Sequence, residues 1–123
     1  MMIECLYVGV GGFIGSVARY LIGLLPFTLE NGFPIKTFII NVAGALLIGI
    51  IAALAAKNPT LDARIVLFIK VGICGGFTTF STFALEIGGL LDRGLLFTAV
   101  MYAALSTILG VIAFYIGQSL INA

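Results

Sequence analysis

Long apolar runs separated by short polar clusters divide this chain into four segments, and most of its ionisable side chains fall at their edges. Ile3 to Leu25 comes first, with Glu4 at its border and Arg19 inside it. Pro26, Asn31, Gly32 and Pro34 then mark a loop. Thr37 to Ala56 carries no charge and stops at Lys57-Asn58-Pro59. Ile65 to Leu91 contains Lys70, Glu86 and a polar break, and Asp92-Arg93-Gly94 makes a tight turn. Leu95 to about residue 121 is again uncharged. A helix needs about 20 mostly apolar residues to cross a bilayer, so each run predicts a spanning helix. All three prolines fall between runs, as breakers should. The pattern therefore predicts one all-α membrane domain over residues 1–123, with its third helix broken near the centre. Connections this short leave no room for an extramembrane domain, and within lipid the backbone must pair internally.

Composition removes the alternatives. Apolar residues make up 62% of the chain and charged ones 9%, where a soluble domain carries about 25% charged residues. A water-facing surface cannot be built from this set, and a disordered chain is excluded for the same reason. With no histidine and no run of like charges, the chain lacks the footprint of a nucleic-acid partner. Cys5 and Cys74 are too few for a zinc site or a disulfide framework, and read as small apolar side chains in helices. The start Met1-Met2-Ile3-Glu4 has no basic region and no clean small-x-small site follows, so the first segment is expected to remain as a span. No nucleophile–base pair or metal cluster is visible, which argues against an enzyme.

Charge usually sets orientation, because cytoplasmic loops carry an excess of Lys and Arg. With four spans, both ends share one face with the loop between spans two and three. That face holds Lys57 and Arg64 with Lys70 nearby; the other holds Lys36 and Arg93 with Arg19 nearby. Three stand against three. The even split predicts a chain that inserts both ways and pairs as an antiparallel homodimer.

Lipid supplies no hydrophobic drive for helices to associate, so the sixteen glycines point to close backbone packing. Small residues recur at helical spacing: Gly11-x-x-x-Gly15, Gly12-x-x-x-Ser16, Ala45-x-x-x-Gly49, and Ser106-x-x-x-Gly110 continued by Ala113 and Gly117. A tight bundle implies a narrow permeation path.

The chemistry concentrates in Gly72-Ile73-Cys74-Gly75-Gly76-Phe77-Thr78-Thr79-Phe80-Ser81-Thr82-Phe83-Ala84-Leu85-Glu86. Adjacent glycines followed by β-branched hydroxyl residues weaken a helix at the bilayer centre. A break there frees carbonyls, which suit a cation, and amides, which suit an anion; the plainer reading is a glycine kink used for packing. Phe80 and Phe83 share one face, and Thr79, Thr82 and Glu86 an adjacent one. Ring edges are positive and hydroxyls donate hydrogen bonds, so this surface suits an anion losing its water. Asn41, Tyr102 and Ser106 add polar groups from spans two and four. Arg19 and Lys70 are ionisable groups inside spans, candidates either for function or for snorkelling to the interface.

At these residues the chain resembles the small bacterial fluoride channels (Fluc, also called CrcB). The resemblance runs through Gly11-Gly12-Phe13-Ile14-Gly15-Ser16-Val17-Ala18-Arg19-Tyr20, Thr37-Phe38-Ile39-Ile40-Asn41-Val42-Ala43-Gly44, and Gly75 to Phe83 with Glu86. It departs at Lys36, where the family commonly has glycine in what reads as a loop, and Lys70 has no place in the family pattern. The resemblance implies a passive, fluoride-selective channel of the bacterial cytoplasmic membrane. It implies an antiparallel dual-topology homodimer with two pores, exporting fluoride, and a structural sodium ion at its centre. Carried onto this chain, the sodium ligands would be the backbone carbonyls of Gly75 and Thr78. Phe80 and Phe83 would be the pore phenylalanines, with Asn41 beside them and Arg19 at the vestibule. Ser81, Thr82, Tyr102 and Ser106 would complete the polar lining. The competing expectation is a small multidrug-type proton-coupled exporter, also four spans and capable of dual topology. That chemistry needs a carboxylate at the centre of span one, where this chain offers only Glu4 at the edge.

Overall fold

A computed structural model describes all of residues 1–123. Its elements are α1 (Met2–Gly23), α2 (Ile35–Lys57), α3 (Ala63–Leu67), a π-helical segment (Phe68–Cys74), α4 (Gly75–Phe77), α5 (Phe80–Asp92) and α6 (Leu96–Asn122). Four stretches are long and apolar enough to span: Met2–Gly23, Ile35–Lys57, Ala63–Asp92 and Leu96–Asn122. The predicted spans are all present, with ends displaced by one to two residues. The second helix begins before Thr37, so Lys36 lies in its first turn rather than in a loop.

Side-chain contacts show that the spans alternate in direction. Arg64 Nε lies 3.6 Å from Glu4 Oε1, which puts the start of α3 beside the start of α1. Lys57 Nζ donates to Ile121 O at 2.8 Å, joining the C-terminal ends of α2 and α6. At the other face Lys36 Nζ donates to Gly23 O and Leu25 O, each at 3.0 Å. Both lysines thus cap helix C-termini, where free carbonyls and the dipole favour a cation.

Packing divides the protomer into two close pairs. The first joins α1 to the first half of the third span through glycines. A Cβ on Gly11 would strike Phe68 O, and one on Gly15 would strike Ile73 O. From the facing side, a Cβ on Gly76 would lie 2.5 Å from Gly12 O, and one on Gly72 2.8 Å from Gly11 Cα. The second pair joins α2 to α6, where Gly49 faces Phe114 O and Gly117 faces Leu46 O. The small-residue spacing predicted these seams, except that Gly110 has open space around it and Ser106 faces a cavity instead of a helix. Between the pairs sits a small core of Leu90, Ala99 and Tyr102, flanked by Phe33, Phe38, Phe83, Ile87 and Leu95.

The third span is interrupted within the predicted stretch, at its threonines rather than its glycines. Gly75 and Gly76 stay helical, while Thr78 (ψ 156°) and Thr79 (φ −150°, ψ 118°) are extended. Gly76 serves the seam with α1, whereas a Cβ on Gly75 would meet nothing within 4 Å. The threonines make the break because their side chains compete for backbone partners. Thr78 Oγ1 donates back to Cys74 O at 2.8 Å, ending the first half. Thr79 Oγ1 accepts the N–H of Thr82 at 3.1 Å, an N-cap that starts α5.

Upstream, the π-helical segment carries Lys70, which is exposed and pairs with no carboxylate of its own chain.

Candidate functional site

The break leaves backbone groups near Thr78 and Thr79 without helical partners, and α1 and α2 send side chains to meet them. From α2, Asn41 grips Thr79 twice: its Oδ1 accepts the Thr79 N–H at 2.8 Å and its Nδ2 donates to Thr79 O at 3.2 Å. From α1, Arg19 Nε donates to Gly76 O at 3.1 Å, and Ser16 Oγ reaches the same carbonyl at 3.5 Å. Thr79 is thereby held from α2, and the carbonyl of Gly76 just before the break from α1.

Two carbonyls are left out of this arrangement. In an uninterrupted helix Gly75 O would accept from Thr79 N–H, and Thr78 O from Thr82 N–H. Asn41 takes the first donor and Thr79 Oγ1 takes the second. No backbone N–H outside the helices reaches either carbonyl. Gly75 is exposed and Thr78 half-buried, so the middle of the span carries two carbonyls that lack their helical donors.

Around the break lie two cavities. The larger, about 590 Å³, is a vestibule lined by Arg19, Lys36, Thr37, Thr79, Thr82, Glu86 and Arg93 among others. The second, called the inner cavity for its place beside the break, is a pocket of about 280 Å³ open to the protomer surface and lined by Asn41, Thr78, Thr79, Phe80, Phe83, Ser106 and Thr107. Thr79 forms a wall of both.

The inner cavity has unspent donors. The Asn41 amide carries two N–H bonds, and one remains after Thr79 O is served. Ser106 Oγ is buried and has no hydrogen-bond partner, whereas Thr107 Oγ1 is already committed to Ala103 O at 2.9 Å. Phe80 and Phe83 stand with ring centroids 5.7 Å apart at a tilt of 42°. Phe80 is 78% exposed in the protomer. No carboxylate or basic side chain enters this cavity. Neutral donors and aromatic rings without a fixed charge form a surface suited to a small anion.

Glu86 stands in the vestibule with both oxygens engaged. Thr37 Oγ1 donates to Oε2 at 2.9 Å, and Tyr102 Oη donates to Oε1 at 2.7 Å. Tyr102 is wholly buried and lies behind Glu86, packed against Phe33 and Phe83 at 5.4 and 5.0 Å, rather than along either cavity. Ser81 is exposed and lies 3.4 Å from Thr79 Oγ1. Of the residues singled out by sequence, the structure gathers Asn41, Thr79, Phe80, Phe83 and Ser106 in one cavity, and Arg19, Thr79, Thr82 and Glu86 in the other. Sequence reasoning missed Thr37 and Ser16. Thr37 sits four residues before Asn41, and that i, i+4 spacing was the signal available.

Comparison with known proteins now decides the family. A family model described as CrcB-like protein, Camphor Resistance (CrcB), matches residues 6–118. The chain belongs to the CrcB family. Among curated relatives, one from Prosthecochloris aestuarii is 43% identical over 115 residues, covering 94% of this chain and 90% of the relative. Another from Chlorobaculum tepidum is 45% identical over 121 residues, covering 98% and 95%. A third from Nitrobacter winogradskyi is 45% identical over 118 residues, covering 95% and 94%. All three carry the name fluoride-specific ion channel FluC. CrcB proteins are channels and not enzymes, in line with the expectation from sequence, and four apolar helices make this one a multi-pass membrane protein.

Proposed function

We propose that this chain is a fluoride-selective channel that lets fluoride leave the cell passively across the bacterial cytoplasmic membrane. The observation that carries this reading is the inner cavity. It holds a spare Asn41 N–H, an unpartnered Ser106 hydroxyl and two phenylalanine rings, with no fixed charge. An anion leaving the vestibule past Thr79 meets donors that replace its lost water, and ring edges that complement its charge. Fluoride is favoured over chloride where a narrow, rigid path held by the Asn41–Thr79 clamp offers hydroxyl and amide donors in place of its water. The names of the relatives point the same way.

Two chains of opposite orientation form the working unit in this reading, which the three-against-three division of basic residues permits. The exposed Phe80 and the two carbonyls then face a second copy. A sodium ion fits these carbonyls: Gly75 O and Thr78 O are oxygen acceptors stripped of their helical donors, which suits a hard cation. When bound it would supply the positive charge that those carbonyl dipoles lack. The rest of the break is held by this chain's own Asn41, Arg19 and Ser16.

A proton-coupled exporter is disfavoured. Glu4 lies 2.7 Å from the N-terminal ammonium at the membrane edge, and Glu86 is held between two hydroxyls. Fluoride efflux from liposomes carrying the purified protein tests the proposal. Rapid efflux with chloride retained is expected; no fluoride flux, or equal chloride flux, refutes it. Phe80→Ile and Phe83→Ile should each slow efflux about fivefold or more while the protein stays assembled, because a ring-edge contact of about 1 kcal/mol or more is lost to the permeating ion. Unchanged efflux in both variants would discard the role of the rings.

A further inference from the structure

The vestibule collects half of the chain's basic side chains. Arg19, Lys36 and Arg93 line it against one carboxylate, Glu86, whose oxygens already serve two hydroxyls. Glu30 and Asp92 belong to the neighbouring loop and helix end and stay outside the lining.

The three cations are not equivalent. Arg19 is turned into the break and spends its Nε on Gly76 O. Lys36 lies half-buried in the first turn of α2, its ammonium fixed between Gly23 O and Leu25 O at 3.0 Å each. Both acceptors are neutral carbonyls. The C-terminal end of α1 offsets about half a charge, so the vestibule retains a positive site there. A long lysine side chain normally wanders, but two acceptors remove that freedom and keep the charge beside the cavity. A cleft lined by one sign of charge, with low-dielectric walls, raises the local concentration of counter-ions and the rate at which they enter.

We propose that Lys36 is an anion-capture residue of this chain. With Arg93 it gathers small monovalent anions into the vestibule, from which they pass the shared Thr79 wall into the inner cavity. It sets how fast anions arrive, and it does not choose among them. An ammonium beside an open space of about 590 Å³ imposes no size limit. Selection takes place at Asn41, Ser106 and the phenylalanines. The proposal rests on the channel reading above.

The test is fluoride efflux from liposomes at fluoride far below saturation, over a range of ionic strength set with an impermeant salt. Screening shortens from about 30 Å at 10 mM to about 8 Å at 150 mM, so the unaltered protein should slow about threefold or more across that range. Lys36→Met should lose about threefold of the low-salt rate and most of the salt dependence. Its rate at saturating fluoride and its preference for fluoride over chloride should not change. Lys36→Arg should behave like the unaltered protein. So should Lys70→Gln, which removes a charge outside the vestibule. Full salt dependence in Lys36→Met overturns the proposal. So does a conducting unaltered protein whose low-fluoride rate ignores salt. If Lys36→Met fails to fold for want of the α1 cap, the salt response of the unaltered protein and of Lys36→Arg decides. An unaltered protein that passes no fluoride instead refutes the channel reading, a separate result.

Discussion

Asn41→Leu should lower fluoride efflux about a hundredfold or more, with little change in the mass of protein that reaches the membrane. The side chain makes two bonds to Thr79, and both Thr79 groups lose their partners when it goes. A buried polar backbone group left unpaired costs about 1–3 kcal/mol, and here there are two. The break itself is therefore at stake, since the Thr79 N–H would be drawn back toward Gly75 O and the span toward a continuous helix. The substitution also deletes the spare N–H in the inner cavity. Efflux assays with a matched circular dichroism spectrum separate these effects from gross unfolding. A rate within about threefold of the unaltered protein would show that Asn41 is not what holds the break, since even one orphaned group should cost more.

Gly15→Val should prevent the protein from assembling at all. Its Cβ would run into Ile73 O and come within 2.7 Å of Phe77 N and 3.1 Å of Gly76 C, all of them backbone atoms that cannot swing aside. Overpacking of this sort costs about 1–3 kcal/mol or more. The displaced α1 would also carry Arg19 and Ser16 away from Gly76 O. The expected result is loss of the monodisperse peak on extraction into mild detergent. Gly9→Ala is the control, because a Cβ there meets nothing within 4 Å and alanine favours the helix. Equal recovery of Gly15→Val and Gly9→Ala would remove the close approach of these backbones as a requirement of the fold.

How far the sequence carried the argument varied with the kind of force involved. The four spans were legible because hydropathy acts additively over some twenty residues. Asn41, Phe80, Phe83 and Glu86 stood out because polar or aromatic groups in an apolar helix are conspicuous. The break falls inside the predicted stretch, at its threonines, while its glycines stay helical. Glycine weakens a helix only by propensity, and the seam with Gly11, Gly12 and Gly15 overrides so small a preference. Threonine acts by offering the backbone another partner, and Thr79 shows its effect only when Asn41 of another helix is in place. Thr37, Ser16 and Lys36 were passed over or misplaced for a related reason. Each gains its role from a group far away in the chain: Glu86, Gly76 and the end of α1.

The carbonyls of Gly75 and Thr78 have a consequence for how crowded the membrane must be. A carbonyl without a donor in hydrocarbon costs several kcal/mol, and a solitary chain carries two. Any association that brings those oxygens a ligand recovers that sum, a driving force that the near absence of hydrophobic attraction between helices in lipid would otherwise deny. At about 1.4 kcal/mol per tenfold change in an equilibrium constant, two such groups oppose dilution over several orders of magnitude. For the paired unit proposed above, this predicts copies that stay together even when a cell makes few of them.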